Sequence, residues 1–266
     1  MQHYQQLINH LQSMSPLAVA FSGGVDSTLL VKAAHDALGD RAIAITINGP
    51  MQLRGELNAA RELAQQIGIR QIELQLDWSD LPELHTNPPD RCYRCKHTLL
   101  SRCRLQLSTI AAAGGTWNLT DGSNLDDLQA HRPGRRALQE LAVGSPLAEL
   151  GFDKAEIRSV SRQLGLPGWD KPAQSCLLTR FPHAVPLTAA DLKRVEACEE
   201  GLQMLGLRLA RARCLADTVR LELGQQELAA VTASPLLRKN IETICAAAGF
   251  TELVIDPAGY RSGSMD

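Results

Sequence analysis

The sequence predicts an α/β protein with a doubly wound parallel sheet, followed by a smaller α+β domain. Over the first 165 residues, short apolar runs alternate with helix-like segments, and a glycine-rich turn follows the first run. Such alternation is typical of parallel strands joined by crossover helices. After residue 187 the pattern changes, and two strand-like runs follow one another closely. We therefore expect a first domain at 1–170, and a connector with a second domain at 171–266.

The strands of the first domain are predicted at LAVAF (17–21), AIAIT (42–46), IELQL (72–76) and WNLTDG (117–122). Helices are expected between them at 27–38, 53–68 and 96–112. Gly68 ends the second helix, and Gly114 and Gly115 end the third, because glycine adopts the left-handed conformation of a helix end without steric cost. Ligands of such sheets bind at the carboxyl ends of the strands.

A proline-rich connector at 165–187 is predicted to be extended. Beyond it we expect a helix at 187–206 with Thr188 as its N-cap, and a second helix near 234–248. The runs LRLARARC, TVRLEL and FTELVID are strand candidates. This mixture predicts the small α+β domain.

Charge and composition exclude several classes of protein. The 266 residues include 27 Lys and Arg against 29 Asp and Glu, a net charge of −2. This balance argues against a nucleic-acid partner, which favours a basic field. No run of 18 apolar residues is present, so no membrane span is predicted. A polar start without an apolar signal core, and seven cysteines, predict a cytoplasmic protein with reduced thiols.

The strongest local signal is LAVAFSGGVDSTLL, in which a strand runs through a short loop into a helix. Gly23 and Gly24 let the backbone approach a ligand closely, and the N–H groups at a helix start favour an anion. Ser22 and Ser27 add hydroxyl groups. Asp26 suits an anion site when Mg²⁺ bridges it to phosphates. The loop predicts phosphate binding, the alternative being an ordinary glycine turn.

The segment DGSN at 121–124, with Asp126 and Asp127 after it, follows the fourth predicted strand. Asp121 could reach a nucleotide or Mg²⁺ from there. The same letters make a good turn sequence, so a plain turn is an equal alternative.

Three cysteines are candidate metal ligands. Cys92 and Cys95 form a CxxC motif, which gives only two ligands and fits half a zinc site or a redox pair. Cys176 lies much later, in the connector. Three cysteines with an open fourth position suit a 4Fe–4S cluster with one iron free for an exogenous ligand. The remaining cysteines lie in helix- or strand-like runs and are expected to be structural: Cys103, Cys198, Cys214 and Cys245.

The loop SGGVDS resembles the PP-loop of the ATP pyrophosphatase superfamily, and motifs along nearly the whole chain resemble the LarE family within it. These motifs are NPPDRCYRCK (87–96), DGSNLDDL (121–128), RPGRRA (132–137), WDKPAQSCL (169–177) and GYRSGSM (259–265). The resemblance implies a PP-loop ATP pyrophosphatase fold and an ATP-dependent sulfur transferase. Its implied substrate is pyridinium-3,5-dicarboxylate mononucleotide, whose carboxylates become thiocarboxylates for the nickel-pincer nucleotide.

The resemblance also implies roles for particular residues. The loop from Ser22 to Ser27 would hold ATP phosphates with Asp26 near Mg²⁺, and a sulfur attached at Cys176 would displace AMP from an acyl-adenylate. Two sulfur sources are known in the family: a cysteine that becomes dehydroalanine, or a 4Fe–4S cluster on three cysteines. Because Cys92 and Cys95 accompany Cys176, we favour the cluster. The sulfur donor that reloads it is not specified by the sequence.

Charged residues of the second domain are candidates for binding the mononucleotide. Glu196 and Glu199 share a helix face, and Arg211 and Arg213 alternate on a strand. We assign Glu199, Arg211 and Arg213 to the catalytic site. A solvated surface charge is the alternative for each.

Two more arginines are expected to bind phosphate, which arginine does through paired hydrogen bonds. Arg180 follows Cys176 closely, and Arg261 lies in the terminal motif. The chain departs from the family after the arginine strand, where Cys214 and Leu215 replace a pair of histidines.

Other functions stay open from the sequence. A PP-loop tRNA thiolase also combines a CxxC with a third cysteine, although the charge argues against RNA. An amide-forming synthetase has no use for three placed cysteines. A nucleotide- or zinc-binding module is the non-enzymatic alternative. We also expect a homo-oligomer.

Overall fold

The computed structural model describes residues 1–111, 116–129, 133–172 and 174–261. The chain forms two compact units. Unit 1 consists of Met1–Gly49, Arg54–Leu81 and Asp90–Ala173, and unit 2 consists of Pro50–Leu53, Pro82–Pro89 and Gln174–Asp266. Two short segments from the first half of the sequence therefore belong to unit 2.

Unit 1 is built on a sheet of four parallel strands, which confirms the predicted α/β class. The strands are β1 (Leu17–Ala20), β2 (Ala42–Asn48), β3 (Arg70–Gln75) and β4 (Asn118–Thr120), in the order β3-β2-β1-β4. β1 and β2 are almost wholly buried because they lie inside the sheet, whereas the edge strand β3 is largely exposed or half-buried. β1 therefore has β2 on one side and β4 on the other.

Helices cover this sheet, and their apolar faces form the core of unit 1. The helices are α1 (Gln2–Gln12), α2 (Val25–Leu38), α3 (Arg54–Ile67), α4 (Arg91–Ala111), α5 (Leu125–Gln129), α6 (Gly134–Glu140), α7 (Pro146–Glu149) and α8 (Lys154–Gln163). α4 begins at Arg91, so it includes the CxxC motif that the sequence placed just before a helix. Gly114 and Gly115, the predicted end of that helix, lie outside the described residues.

Unit 2 contains a mixed sheet of three strands. They are β5 (Ala210–Leu215), β6 (Thr218–Leu223) and β7 (Glu252–Ile255); β5 and β6 are antiparallel, and β6 and β7 are parallel. The helices are α9 (Ala189–Met204), α10 (Gln225–Ala233) and α11 (Pro235–Ala247). Thr188 caps α9 as predicted, in a capping box with Asp191.

The four cysteines expected to be structural are buried inside the two units: Cys103, Cys198, Cys214 and Cys245. Across the described ranges, no helix combines the length and apolarity that crossing a bilayer requires.

Candidate functional site

The SGGVDS loop connects β1 to α2 in unit 1, and its first glycine is required by sterics. Gly23 has a φ of +74°, and a Cβ built there would lie 3.0 Å from the Cβ of Ala60 on α3. Gly24 is the N-cap residue of α2. The loop therefore exposes the N-terminus of a 14-residue helix to any anion that binds above the strand.

The DGSN segment lies against this loop. A Cβ on Gly122 would lie 2.9 Å from the backbone nitrogen of Ser27 and 3.2 Å from the carbonyl carbon of Asp26. Asn124 Nδ2 also donates a hydrogen bond of 3.2 Å to Asp26 Oδ2. The two sequence motifs meet because β4 pairs with β1 in parallel, so that both loops leave the same edge of the sheet.

Hydroxyl groups shape the loop from within. Ser22 Oγ and Ser27 Oγ lie 3.2 Å apart, and Ser27 Oγ donates to the carbonyl oxygen of Gly24 at 3.1 Å. Ser27 is buried, so its hydroxyl fixes the first turn of α2.

Asp26 is paired with a lysine that sequence reasoning missed. Lys154 Nζ lies 2.5 Å from Asp26 Oδ1, and the two side chains are 33% and 21% exposed. Lys154 is the first residue of α8, after the N-cap Asp153, and its backbone N–H donates to Asp126. Lys154 belongs to no recognised motif. The sequence indicates the start of α8 only through Asp153, a residue type that is favoured at the N-cap.

Asp121 is buried and has three side-chain partners. Lys96 Nζ and Ser123 Oγ each lie 2.7 Å from Asp121 Oδ2, and Ser145 Oγ donates to Oδ1 at 2.7 Å. Lys96 is the last residue of the CYRCK motif, so this contact joins the start of α4 to the end of β4. The sequence identified Asp121 and did not identify Lys96 or Ser145 as its partners.

The CxxC motif lies in the first turns of α4, where Cys92 is exposed and Cys95 is half-buried. Tyr93, between them, donates a 2.7 Å hydrogen bond to Glu140 Oε2 on α6, and the Arg136 guanidinium lies over its ring. The hydrogen bond from Tyr93 and the adjacent Arg136 lower the pKa of the Glu140 carboxyl. These contacts hold α6 on the start of α4.

Cys176 lies in unit 2, where it is half-buried and precedes the 3₁₀ helix Leu177–Arg180. Its carbonyl oxygen accepts hydrogen bonds from Thr179 Oγ1 at 2.8 Å and from Thr179 N at 3.1 Å. Among the described residues, no three His, Cys, Asp or Glu side chains form a group arranged to hold a metal ion.

The charged residues expected to bind the mononucleotide are buried inside unit 2. Arg180 pairs with Glu199, with Nε 2.7 Å from Oε1, and both side chains are at most 1% exposed. The alternative that these residues are solvated charges on the surface is therefore wrong for five of them, all of which are buried: Arg180, Glu196, Glu199, Arg211 and Arg213. Arg261, the last described residue, is exposed.

A second buried ion pair was not predicted. Arg213 donates to Glu222 Oε2 through Nε at 2.9 Å and Nη2 at 2.7 Å, and its Nη1 donates to the carbonyl oxygen of Thr179 at 2.8 Å. Arg211 lies over the ring of Tyr260, and burial lowers the pKa of its guanidinium. The sequence indicates the buried pair only through Glu222, which interrupts the apolar residues at the end of the run TVRLEL.

Comparisons with known proteins identify relatives over most of the chain. Residues 4–96 match the family model of asparagine synthase. The chain is 40% identical over 248 residues to an uncharacterised protein of Synechocystis, covering 93% of this chain and 91% of the relative. It is 32% identical over 262 residues to pyridinium-3,5-bisthiocarboxylic acid mononucleotide synthase of Lactiplantibacillus plantarum, covering 98% and 92%. A glutamine-hydrolysing GMP synthase component of Archaeoglobus fulgidus is 26% identical over 160 residues, 56% of this chain and 50% of the relative.

Proposed function

Because the chain belongs to the LarE family of ATP-dependent sulfur-transferring enzymes, we propose that it acts on pyridinium-3,5-dicarboxylate mononucleotide. It would convert a carboxylate of this nucleotide to a thiocarboxylate, a step towards the nickel-pincer nucleotide. The observation that supports the proposal most is the close approach of the SGGVDS and DGSN segments at the helix start in unit 1.

The proposed reaction has two steps, each of which forms one bond and breaks another. A carboxylate oxygen of the substrate attacks the α-phosphate of ATP, the bond to the β-phosphate oxygen breaks, and pyrophosphate leaves. A sulfur nucleophile then attacks the carbonyl carbon, and AMP leaves with the carboxylate oxygen. Activation comes first because the oxygen of a free carboxylate is a poor leaving group, whereas AMP is a stable one.

The residues of unit 1 suit the first step. The backbone N–H groups after Gly23 point out of a helix start, where they can bind phosphate oxygens. Lys154 and Lys96 carry cations whose present partners are Asp26 and Asp121. A lysine on a flexible stem can move from a carboxylate to a phosphate, so both ammonium groups can neutralise charge on the triphosphate.

The oxygen donors around Asp26 fit Mg²⁺, which binds proteins through one or two carboxylates together with substrate phosphates. Asp26 would hold the ion, with Asn124 beside it, and Asp121 lies in the adjoining segment. When bound, the ion would supply positive charge to the phosphates.

We also propose that Cys92, Cys95 and Cys176 are thiolate ligands of a 4Fe–4S cluster, and that the transferred sulfur is carried by this cluster. The donor chemistry supports this, because three thiolates leave one iron available for a further ligand. When bound, such a cluster would supply an additional sulfide. The alternative within the family is that Cys176 gives up its own sulfur.

Replacement of Asp26 by alanine tests the nucleotide site. Asp26→Ala is expected to abolish AMP formation while the fold persists, because the metal loses its carboxylate ligand. Asp40→Ala, at an exposed position after α2, is the matched control and is expected to form AMP normally. AMP release at the wild-type rate by folded Asp26→Ala would refute the role of Asp26.

Anaerobic iron and sulfide analysis tests the sulfur source. Cys92→Ala and Cys95→Ala are expected to lose iron, visible absorbance and repeated sulfur transfer, while AMP formation survives. Cys103→Ala, on the same helix, should keep the iron. Repeated sulfur transfer by the double variant Cys92→Ala with Cys95→Ala would refute the cluster. A loss of one sulfur and two hydrogens from Cys176 after each transfer would establish the sacrificial route.

A further inference from the structure

In unit 2 the Arg180 guanidinium is enclosed by protein acceptors. Nε and Nη2 donate to the two carboxylate oxygens of Glu199, at 2.7 and 2.8 Å. Nη1 faces four oxygens: Ser175 Oγ at 2.7 Å, Thr179 Oγ1 at 2.8 Å, Ser175 O at 3.1 Å and Cys176 O at 3.3 Å. Since a guanidinium has five N–H donors, at least four of those on Arg180 are already engaged.

Glu199 fastens this arginine to the framework of unit 2. Both of its oxygens accept from Arg180, and Oε1 also accepts a 2.9 Å hydrogen bond from the backbone N–H of Ala212 on β5. Because Glu199 is carried by α9, the carboxylate links a helix, a strand and Arg180 at a point closed to water. Both oxygens of this buried carboxylate are therefore held by protein donors.

Arg180 also donates hydrogen bonds to the backbone around Cys176. The carbonyl oxygen of Cys176 faces three donors, two from Thr179 and one from Arg180. Ser175, directly before it, is held to the same guanidinium through its carbonyl oxygen and its hydroxyl. The peptide groups on both sides of Cys176 are thereby fixed, while the residue itself is half-buried.

We propose that Arg180 and Glu199 are positioning residues for Cys176 and do not bind the substrate phosphate. For Arg180 to reach a phosphate, its bidentate pair must open and leave the Glu199 carboxylate buried without the guanidinium that binds both its oxygens, which is strongly unfavourable. The inference rests on the proposed role of Cys176. It predicts that damage to this ion pair impairs sulfur transfer and spares the binding of the mononucleotide.

Kinetics of the two steps test the proposal. Pyrophosphate release is measured against mononucleotide concentration, and thiocarboxylate is counted per pyrophosphate, for Arg180→Lys and Glu199→Gln. We expect the KM for the mononucleotide to stay within about twofold, and the thiocarboxylate yield to fall by about tenfold to a hundredfold, as misplacement of a reacting group does. Glu200→Gln makes the same change on the neighbouring residue and should leave both quantities unchanged.

Two results would overturn the proposal. A KM raised about tenfold in Arg180→Lys with an unchanged yield per pyrophosphate would make Arg180 a phosphate ligand. A wild-type yield in both variants would show that Cys176 needs no such support.

A second variant leaves the buried ion pair intact and so avoids the risk of unfolding. Ser175→Ala combined with Thr179→Val removes two acceptors of Arg180 on the loop side. We expect the same direction of change, a lower thiocarboxylate yield with an unchanged KM. A wild-type yield in this folded variant counts against the proposal.

Thiol alkylation separates this inference from the proposed function. Iodoacetamide labelling of Cys176, followed by peptide mass spectrometry, is expected to become at least about threefold faster in Arg180→Lys, because a loosened loop exposes the thiol more often. The labelling is done on protein prepared without iron, in which Cys92, in unit 1, is the internal reference and should not change. An unchanged rate at Cys176 refutes the positioning role, whereas failure of the wild type to release pyrophosphate with the mononucleotide refutes the proposed function alone.

Discussion

The two units hold their charged residues in different ways. In unit 1, Asp26 and Asp121 pair with lysines whose side chains are each 33% exposed. In unit 2, Glu199 and Glu222 pair with arginines that are 0% and 8% exposed. Lysine is a mobile point charge, whereas the planar guanidinium of arginine donates to a carboxylate through two nitrogens of a rigid fork. These two lysine pairs of unit 1 can therefore exchange partners, and the two arginine pairs of unit 2 cannot without exposing a buried charge.

This difference fits the two steps of the proposed reaction. A site for ATP has to accept the negative charge of the triphosphate, and lysines that are neutralised beforehand by nearby carboxylates can be released to the incoming phosphates. A sulfur nucleophile that attacks one carbonyl carbon has to lie in a fixed direction. We therefore expect changes to charge pairs in unit 1 to affect catalysis more than stability, and changes in unit 2 to affect stability strongly.

The largest effect is expected from Glu222→Ala. The substitution leaves the Arg213 guanidinium buried without its carboxylate, which costs about 3–5 kcal/mol of the unfolding free energy. The measurement is hydrogen exchange of β5 and β6. Tryptophan fluorescence does not report on this change, because all three tryptophans, Trp78, Trp117 and Trp169, belong to unit 1.

Two controls accompany this variant. Arg220→Met removes the second cation of Glu222, a guanidinium 47% exposed with Nη2 3.2 Å from Glu222 Oε1, and leaves the Arg213 pair intact, so a cost of at most about 1 kcal/mol is expected. The double variant Arg213→Met with Glu222→Leu removes both buried charges and should recover most of the loss. Equal protection in Glu222→Ala and Arg220→Met would contradict the distinction between the units.

Gly122→Ala is expected to have the next largest effect. The added Cβ would lie 2.9 Å from the nitrogen of Ser27, and relief of such crowding costs about 1–3 kcal/mol. Because the SGGVDS backbone has to shift, ATP binding should weaken as well. Urea unfolding followed by tryptophan fluorescence and ATP titration measure both changes.

Gly55→Ala, in the first turn of α3, is the control for this glycine. Nothing lies within 4 Å of the position its Cβ would take, so a gain of about 0.5–1 kcal/mol is expected from helix propensity. A Gly122→Ala variant as stable as Gly55→Ala would mean that the two loops do not lie in contact.

The sequence predicted the parallel sheet well because β1 and β2 are continuous apolar runs. It missed α1, in which only Tyr4, Leu7 and Leu11 are buried among polar residues, and the short helices α5–α8. It placed the start of α4 too late, because the run NPPDRCYRCK has no apolar period that marks a helix. Such elements are stabilised by tertiary packing, which a local pattern does not contain.

The candidate site was predicted where its residues form contiguous motifs and missed where they do not. SGGVDS and DGSN were each recognised, but their contact depends on the pairing of β4 with β1. Lys154 lies 128 positions from its partner Asp26, and no short-range signal connects them. Charged side chains are rarely buried, so the interior location of Arg180 and Glu222 could not be inferred. The homo-oligomer stays a prediction.

Lys154→Met separates catalysis from stability in unit 1. The ion pair is partly exposed, so the unfolding free energy should change by at most about 1 kcal/mol, while pyrophosphate release falls because a cation for the phosphates is lost. Lys32→Met is the matched control, since Lys32 pairs with Asp36 on the outer part of α2. It should show a similar small change in stability and unchanged catalysis. A loss of several kcal/mol in Lys154→Met would place this pair with the buried pairs of unit 2.

The smallest effect is expected from the exposed cluster on α4 and α6 of unit 1. The Tyr93 hydroxyl, and then Arg136, lower the pKa of Glu140. A carboxyl whose pKa is lower in the folded state contributes stability above its unfolded value of about 4.3, and this contribution is lost as the pH falls through the folded value. We expect Tyr93→Phe to reduce the loss of stability between about pH 5 and about pH 3, because Glu140 then titrates nearer its unfolded value.

The urea midpoint from tryptophan fluorescence, compared between wild type and variant at each pH, isolates this contribution from other titrating groups. Concentrated salt, which screens Arg136 in both proteins, should weaken the pH dependence of each. Parallel pH profiles for the two proteins would show that the hydrogen bond from Tyr93 does not hold the Glu140 carboxylate.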